Sequence, residues 1–211
     1  MSADNTTVNP IVQAVVSGAA PPQARMAAAR GMLPLAQDLI LEMLVALRSD
    51  ADEEVARAAE ATLDGQETVA LLGVASAPET SKAVLSYLAA RPGLAREVQE
   101  AVALNASTPD EAVAALARST QEGGVLELVS INQQRLIRAP SIIDAVLANP
   151  ARTPDAERRV RETRREFFEK ERGARQVADE MRARGLSSSQ AAATVADCSP
   201  SSVPSMTVEV T

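Results

Sequence analysis

Apolar residues recur at spacings of three and four along most of the chain, which is the period of an amphipathic α-helix. β-Branched runs typical of strands are missing, apart from a short Val-rich stretch at the end of the sequence. The pattern therefore predicts an all-α protein. The predicted helices span residues 9–17, 22–30, 34–48, 51–63, 67–75, 79–90, 94–104, 109–118, 124–137 with a break near the middle, 140–148 and 154–184.

Polar residues that suit helix starts precede several of these segments. In LNASTPDEAVAALAR, residues 104–118, the sequence predicts Thr108 as the N-cap, Pro109 as the first helical residue and Glu111 as the partner in a capping box. Asp50 and Glu53 offer a similar box further upstream. The carboxylates at these places are therefore interpreted as helix caps rather than as catalytic acids.

The unit of helix, cap and helix is repeated along the chain. VALRSDADEEVARAAEAT from Val45 and VALNASTPDEAVAALARS from Val102 align without gaps, and AVLANPARTPDAERRV from Ala145 is a third relative. A second pair, YLAARPGLAREVQEAVALN and RLIRAPSIIDAVLAN, repeats at an offset of 44 to 48 residues. Such a period is typical of stacked two-helix repeats.

VALNASTPDEAVAALAR resembles the leucine-rich-repeat-variant pattern and, more loosely, bacterial HEAT-like repeats, over residues 80–157. The resemblance implies a two-layer helical solenoid built from short helices. We expect a repeat domain over residues 1–152, a long charged helix over 153–184 that caps the stack, and a Ser/Pro-rich disordered tail or linker over 185–211. Some relatives carry a cysteine cluster for an iron–sulfur centre, but Cys198 is the only cysteine here, so we expect no cofactor.

The charge of the chain is unevenly distributed. Residues 1–154 hold eleven Lys/Arg and eighteen Asp/Glu, a net charge of −7, whereas residues 155–184 carry a net +2. An acidic body repels a phosphate backbone, which disfavours nucleic acid as a partner. We also expect no secretion signal and no membrane span, and hence a soluble, cytoplasmic protein.

Three asparagines end apolar helical stretches: Asn105, Asn132 and Asn149. One interpretation is that each adopts a left-handed C-cap conformation or hydrogen-bonds the next loop, holding one repeat against its neighbour. The alternative is a row of amides that binds a ligand. The sequence favours the structural role and leaves the other open.

Four arginines are the other candidate interaction residues. Arg135 and Arg138 lie near a predicted helix break, where guanidinium groups can grip an acidic partner or bond the terminal carbonyls of a helix. Arg161 and Arg165 belong to the charged segment DAERRVRETRREFFEKERGARQ, in which glutamates are interleaved with arginines. The second pair is either part of a solvated helix or a contact for nucleic acid.

Catalytic chemistry has few candidate residues. The chain has no His, its only lysines are Lys82 and Lys170, and it contains no Gly-rich phosphate loop. We therefore expect no enzyme but a helical-repeat scaffold that binds another protein, with an unspecified oligomeric state. The alternatives are a nucleic-acid module using the Arg-rich helix 155–175 and, less favoured, a HEAT-like DNA-repair enzyme.

Overall fold

A computed structural model describes residues 9–169 together with residues 176, 179, 180 and 182. Over this part the chain forms twelve α-helices and one short π-helix, and no strand. The protein is therefore all-α in the described residues, as the periodicity predicts. The chain divides into two compact units, Met1–Glu162 and Thr163–Thr211.

The first unit contains most of the helices. They are α1 (Pro10–Val16), α2 (Pro22–Ala29), α3 (Gln37–Leu47), α4 (Glu53–Asp64), α5 (Thr68–Ser76), α6 (Lys82–Ala90), α7 (Arg96–Leu104), α8 (Asp110–Ser119), α9 (Gly123–Ile131), α10 (Gln133–Arg138), α11 (Pro140–Ala148) and α12 (Pro154–Thr163).

The helices up to residue 148 lie where the sequence predicts them, with ends that differ by a few residues. The predicted break within 124–137 falls at Asn132, which separates α9 from α10. Residues 154–162 of the predicted C-terminal helix belong to the first unit, where Ala156 and Val160 are fully buried.

The second unit begins with a departure from the predicted continuous helix. A π-helix spans Arg164–Glu169 directly after α12. Its sequence, RREFFE, contains neither Gly nor Pro, so neither periodicity nor helix breakers distinguish it from an ordinary α-helical turn. The predicted course of the helix through residues 170–184 and the predicted tail over 185–211, with Cys198, lie outside the described residues except at the four single positions named above.

Two predicted capping boxes are wrong in detail. Pro109, with φ −59° and ψ 145°, is the N-cap of α8, and the buried Thr108 hydroxyl donates to the Val102 carbonyl oxygen at 2.7 Å instead of accepting from the helix. The N-cap of α4 is Asp52, whose carboxylate accepts from the Glu54 N–H. The spacing alone did not distinguish these roles, because a hydroxyl near a helix start can equally bond a carbonyl upstream.

From α5 onward, helices pack against the helix two positions along the chain, or three positions where the short α10 intervenes. Contacts join α5 to α7 and α7 to α9, and a second series joins α6 to α8 and α8 to α11. Before α5 the packing is less regular, with α3 touching α1, α2, α4, α5 and α6. α1 to α9 and α11 thus each pack against at least two other helices.

Small and branched aliphatic side chains fill the space between these helices. The largest fully buried ones are Leu41, Met43, Leu44, Leu47, Leu63, Leu85, Leu88, Leu126, Leu136, Ile142, Ile143 and Val55. Alanines such as Ala59 and Ala117 are also fully buried, which allows the helices to approach closely. None of the helices in the described residues is long and apolar enough to cross a membrane.

Candidate functional site

Asn105, the first of the predicted interaction residues, lies in a joint between consecutive helix pairs. It follows α7 with φ −64° and ψ 123°, an extended conformation rather than the left-handed one of the predicted C-cap. Its Nδ2 donates to the carbonyl oxygens of Ala75 at 2.8 Å and Ala77 at 2.9 Å, and its Oδ1 accepts from the Ser107 N–H. The side chain therefore joins the loop after α7 to the end of α5, two helices earlier.

Asn149 makes the same arrangement after α11. Its Nδ2 donates to the carbonyl oxygens of Ala117 and Thr120, both at 2.8 Å, and its Oδ1 accepts from the Ala151 N–H. Asn149 is 3% exposed and also has an extended backbone, with φ −77°. Both buried amides are thus occupied by backbone groups.

A second recurring contact involves buried threonines. The Thr80 hydroxyl donates to the carbonyl oxygen of Val74, and the Thr108 hydroxyl donates to that of Val102, six residues earlier in each case. These bonds close the loops that follow α5 and α7. The repeat seen in the sequence is therefore also a repeat of hydrogen bonds.

Asn132 does not share this role. It is exposed, and its Oδ1 accepts from the Arg135 N–H at 3.1 Å, which makes it the N-cap of α10. The predicted row of three asparagines therefore does not exist as one surface, because two side chains are buried in joints and the third caps a helix.

Arg135 is buried in the joint that contains Asn105. Its guanidinium donates to the carbonyl oxygens of Ala103, Asn105 and Thr108 at 3.2–3.3 Å. Burial lowers the pKa of Arg135, and the nearby carboxylate of Asp110 opposes that effect. The side chain bonds the C-terminal end of α7, as the carbonyl-bonding interpretation expects.

Arg138 reaches the same region from the solvent side. It forms a two-point ion pair with Asp110, with Nε–Oδ2 at 2.6 Å and Nη2–Oδ1 at 2.7 Å. The Arg138 hydrogen bond lowers the pKa of Asp110, and the same bond raises the pKa of Arg138. Asn105, Arg135 and Arg138 are thus brought together around one loop.

The two arginines of the charged segment lie elsewhere. Arg161 is exposed and pairs with Glu157 one helical turn earlier, with Nη2–Oε1 at 2.6 Å. Arg165 is exposed on the π-helix, in the second unit. Neither belongs to the joints formed by Asn105 and Asn149.

A cavity of about 350 Å³ near the middle of the first unit was not predicted. The half-buried ring of Tyr87 is one of its walls. The other lining residues are Arg48, Glu60, Asp64, Ala90, Arg91 and Pro92. The guanidinium carbon of Arg48 lies 4.6 Å from the ring centroid, and that of Arg91 lies 5.9 Å from it, both within cation–π distance. We call this the Tyr87 cavity.

Each arginine of the Tyr87 cavity is also paired with a carboxylate. Arg48 Nε lies 2.9 Å from Glu60 Oε2, and Arg91 bonds Asp64 Oδ1 at 3.1 Å and the Leu63 carbonyl at 2.8 Å. The hydrogen bond from Arg48 lowers the pKa of Glu60, so this carboxylate is ionised at neutral pH.

A second cavity of about 230 Å³ adjoins the first and shares Arg91 and Pro92 with it. Its other lining residues are Gly93, Leu94, Gln99, Leu116, Ser119, Thr120, Gln121 and Glu122. Gly93 has φ +73°, which lets the loop turn between the two cavities. The Thr120 hydroxyl donates to Gln99 Oε1 at 2.6 Å, so the polar wall is held by hydrogen bonds. We call this the Thr120 cavity.

The sequence contained one signal for the Tyr87 cavity. Tyr87 is the single aromatic residue of the first 162, because the only others in the chain are Phe167 and Phe168. Arg91 caps the helix of Tyr87 itself, but Arg48 comes from the end of α3 and the carboxylates come from α4, so their meeting requires the tertiary packing. Periodicity by itself therefore could not identify the cavity.

Comparison of the chain with protein-family models, curated proteins and solved structures gives no match. Among the described residues, no group of His, Cys, Asp or Glu side chains has an arrangement that could hold a metal ion. The fold defines the class as an all-α protein, and its function has to be argued from the joints and the two cavities.

Proposed function

We propose that this chain is a non-catalytic helical-repeat scaffold that binds another protein, with α5–α11 arranged as a two-layer solenoid. The alternate packing of α5, α7 and α9, and of α6, α8 and α11, supports two layers. The recurring bonds of Asn105 and Asn149 support a repeated joint between successive helix pairs. The same features support kinship with leucine-rich-repeat-variant and HEAT-like proteins as part of this proposal.

The observation that carries a binding role is the position of the Tyr87 cavity. It opens where α3, α4 and α6 end, so successive helix pairs contribute to one concave surface. Concave sites that combine apolar area with a few fixed polar groups are typical of binding sites. Here Tyr87, Ala90 and Pro92 supply the apolar part, and paired charges supply the polar part.

The electrostatics support binding rather than acid–base catalysis. A general acid needs a pKa raised toward neutrality, whereas the pKa of Glu60 is lowered by its arginine partner. Both arginines of the cavity are engaged by carboxylates and by the Tyr87 ring. The reducing compartment expected for a chain with one cysteine makes a cytoplasmic location part of the proposal.

The nucleic-acid alternative has less support from the charged helix. Arg158 pairs with Asp155 and Glu162, and Arg161 pairs with Glu157, so these guanidinium groups are already partly neutralised. An exposed phosphate backbone would have to compete with carboxylates on the same helix. A DNA-repair enzyme has no further observation in its favour.

The binding role is tested by blocking the Tyr87 cavity without removing any of its interactions. Ala90 is exposed and lines the cavity, and Ala90→Trp would place an indole in it. Ala83→Trp is the matched control, because Ala83 is also exposed and lies on the first turn of the same helix. Both full-length variants and the natural chain would serve as baits for proteins of the source cells, with folding checked by circular dichroism.

We expect a set of proteins that the natural chain and Ala83→Trp retain and Ala90→Trp loses. Capture alone decides nothing, since any bait retains some protein. A captured set that is the same for Ala90→Trp and Ala83→Trp would overturn the proposed role of the cavity.

A further inference from the structure

We propose that the Tyr87 cavity and the Thr120 cavity form one groove, and that this groove takes a basic peptide segment of the partner, with arginine or lysine side chains seated beside Tyr87. This inference rests on the proposed function and specifies the chemistry of the partner. The linings of the two cavities have Arg91 and Pro92 in common, so the cavities lie side by side.

Helix ends make the groove attractive to cations. Arg48, Arg91 and Thr120 are the C-cap residues of α3, α6 and α8, and Asp64 is the last residue of α4. The C-terminal end of a helix carries the negative end of its dipole, equivalent to about half an elementary charge. Four helices therefore end at residues that line the two cavities.

The Tyr87 cavity is lined by two arginines and two carboxylates, and the members of each ion pair differ in exposure. The side chain of Asp64 is 67% exposed and that of its partner Arg91 is 17% exposed; the values for Glu60 and Arg48 are 49% and 36%. In each pair the carboxylate is thus the more accessible member. Glu122 adds a further carboxylate at the far end of the groove.

The contacts that Arg48 makes with the Tyr87 ring indicate which type of ligand side chain the cavity can bind. Arg48 already combines a contact to the ring with an ion pair to Glu60, which are the two interactions that a guanidinium from a partner would need. A ligand arginine can bond Asp64 Oδ2, since only Asp64 Oδ1 is bonded by Arg91. It can also share Glu60, both of whose oxygens accept from Arg48 at 2.9 and 3.3 Å. Ala90 and Pro92 supply apolar surface beside these carboxylates. A ligand lysine can pair with the carboxylates, but it lacks the planar guanidinium group that can both stack on an aromatic ring and bond a carboxylate at two points.

The field of the whole body acts in the same direction. Residues 1–154 carry a net charge of −7, which attracts a cationic segment over a distance of about 10 Å at moderate salt. The Thr120 cavity then offers the exposed side-chain amide of Gln121 to the backbone of the bound peptide. The hydroxyls of Ser119 and Thr120 already donate to Ala115 and Gln99, so they can only accept from peptide N–H groups. The same net negative charge would repel a phosphate backbone.

The test measures binding of fluorescein-labelled probe peptides to the full chain by fluorescence anisotropy. The probe alternates arginine and glycine; one matched peptide has citrulline, a neutral analogue with nearly the same shape, in place of each arginine, and another has glutamate. At about 50 mM salt we expect saturable binding of the arginine peptide, with the citrulline peptide at least about tenfold weaker. The glutamate peptide is expected not to bind.

Two variants locate the site. Ala90→Trp keeps every charge, and we expect it to weaken the arginine peptide at least about tenfold. The double change Glu60→Gln with Asp64→Asn is expected to do the same. Its control is Glu53→Gln with Glu54→Gln, which removes the same charge from the first turn of the same helix and is expected to weaken binding less than about threefold.

Several outcomes would overturn the inference: equal binding of the arginine and citrulline peptides, undiminished binding to Ala90→Trp, or equal weakening by the two double variants. A labelled oligothymidine that binds the natural chain and not Ala90→Trp would also overturn it, because the occupant would then be anionic. If the arginine peptide does not bind while the natural chain still captures proteins that Ala90→Trp loses, the basic peptide is rejected as the ligand. That result would leave the proposed binding function in place.

Discussion

Asn105 and Asn149 lie 44 residues apart, and each binds the C-terminal end of an earlier helix, α5 and α8 respectively, in the same way. Each amide nitrogen donates to two backbone carbonyls about thirty residues earlier in the chain, and each amide oxygen accepts from the N–H two residues later. One side chain thereby satisfies carbonyls that the ends of the preceding helix pair leave open. The joints therefore depend on the orientation of the amide, which can be tested directly.

The substitution Asn149→Ala removes the donors to the carbonyls of Ala117 and Thr120. Because these carbonyls are buried against the joint, we expect the free energy of unfolding to fall by about 2–4 kcal/mol. Asn149→Asp should cost more, since it turns a carboxylate oxygen toward two carbonyl oxygens. Urea denaturation followed by circular dichroism measures both.

Asn132→Ala is the matched control, because Asn132 is exposed and acts only as an N-cap. Its loss should cost about 1 kcal/mol. Equal costs for Asn149→Ala and Asn132→Ala would mean that the joint adds nothing beyond an ordinary helix cap.

Gly123 and Gly124 give a second test of the same joint. A Cβ at Gly123 would lie 2.9 Å from Thr153 Cγ2 and 3.1 Å from the Ala151 carbonyl oxygen, in the loop that follows Asn149. Since a backbone group has to move, we expect Gly123→Ala to reduce the free energy of unfolding by about 1–3 kcal/mol. The measurement is again urea denaturation.

Gly124→Ala distinguishes this clash from a general effect of glycine replacement. Its Cβ would meet the guanidinium of Arg96, which is 57% exposed and can move away, so the change should stay within about 0.5 kcal/mol. Thr153→Ser in the Gly123→Ala background should restore part of the lost stability. Equal effects of the two alanine substitutions would contradict close packing at Gly123.

The helices could be predicted from the sequence because each buries one face. Apolar residues therefore recur at the helical spacing of three and four. Val113 and Leu116 show this in α8, where two apolar residues three positions apart are both buried. Leu128 shows the limit, because this apolar residue of α9 is only half-buried, while Leu126 two positions earlier is fully buried. The prediction of a helix is unaffected by such differences, but the prediction of which residues of the helix are buried is not.

The candidate site was less predictable because it depends on partners that are distant in sequence. An asparagine at a helix end indicates a hydrogen bond, but it does not say that Asn105 bonds Ala75 and Ala77 rather than its own helix. The Tyr87 ring meets Arg48 from α3 and Glu60 from α4 only after those helices have packed. Neither the contacts of Asn105 nor those of Tyr87 can be predicted from charge and spacing in the sequence.

Tyr87 can be titrated alone because it is the only tyrosine in the chain. Burial raises its pKa above the ordinary value of 10.0, while Arg91 and Arg48 partly offset the increase. The absorbance of tyrosinate should therefore appear with a midpoint above 10.0, provided that circular dichroism shows the chain still folded.

Two substitutions should move this Tyr87 midpoint in opposite directions. Arg48→Met removes a cation that stabilises the phenolate and should raise the pKa further, whereas Glu60→Gln removes an opposing anion and should lower it. A midpoint at or below 10.0 in the natural chain, or shifts of the same sign, would contradict the arrangement of charges around the ring.

The ion pair between Asp110 and Arg138 should make stability depend on pH in the acidic range. The pKa of Asp110 is lowered in the folded chain, chiefly by the hydrogen bond from Arg138. A group of this kind stabilises the fold at every pH above its unfolded value, near 3.8, and the stabilisation is lost as the pH falls through the lower folded value. Asp110→Asn should therefore be less stable than the natural chain from pH 7 to about pH 5, with the difference shrinking below about pH 4.

Arg138→Gln tells which neighbour is responsible for this dependence. Asp110 is the first residue of α8, where the helix dipole also favours a carboxylate, and Arg135 Nε lies 3.5 Å from Asp110 Oδ1. If Arg138 is the main cause, Arg138→Gln should remove most of the acid-dependent loss of stability measured by urea denaturation between pH 3 and pH 7. If Arg138→Gln kept the full dependence of the natural chain, the helix terminus and the buried Arg135 would have to hold the carboxylate, and Arg138 would be a surface pair of little energetic consequence.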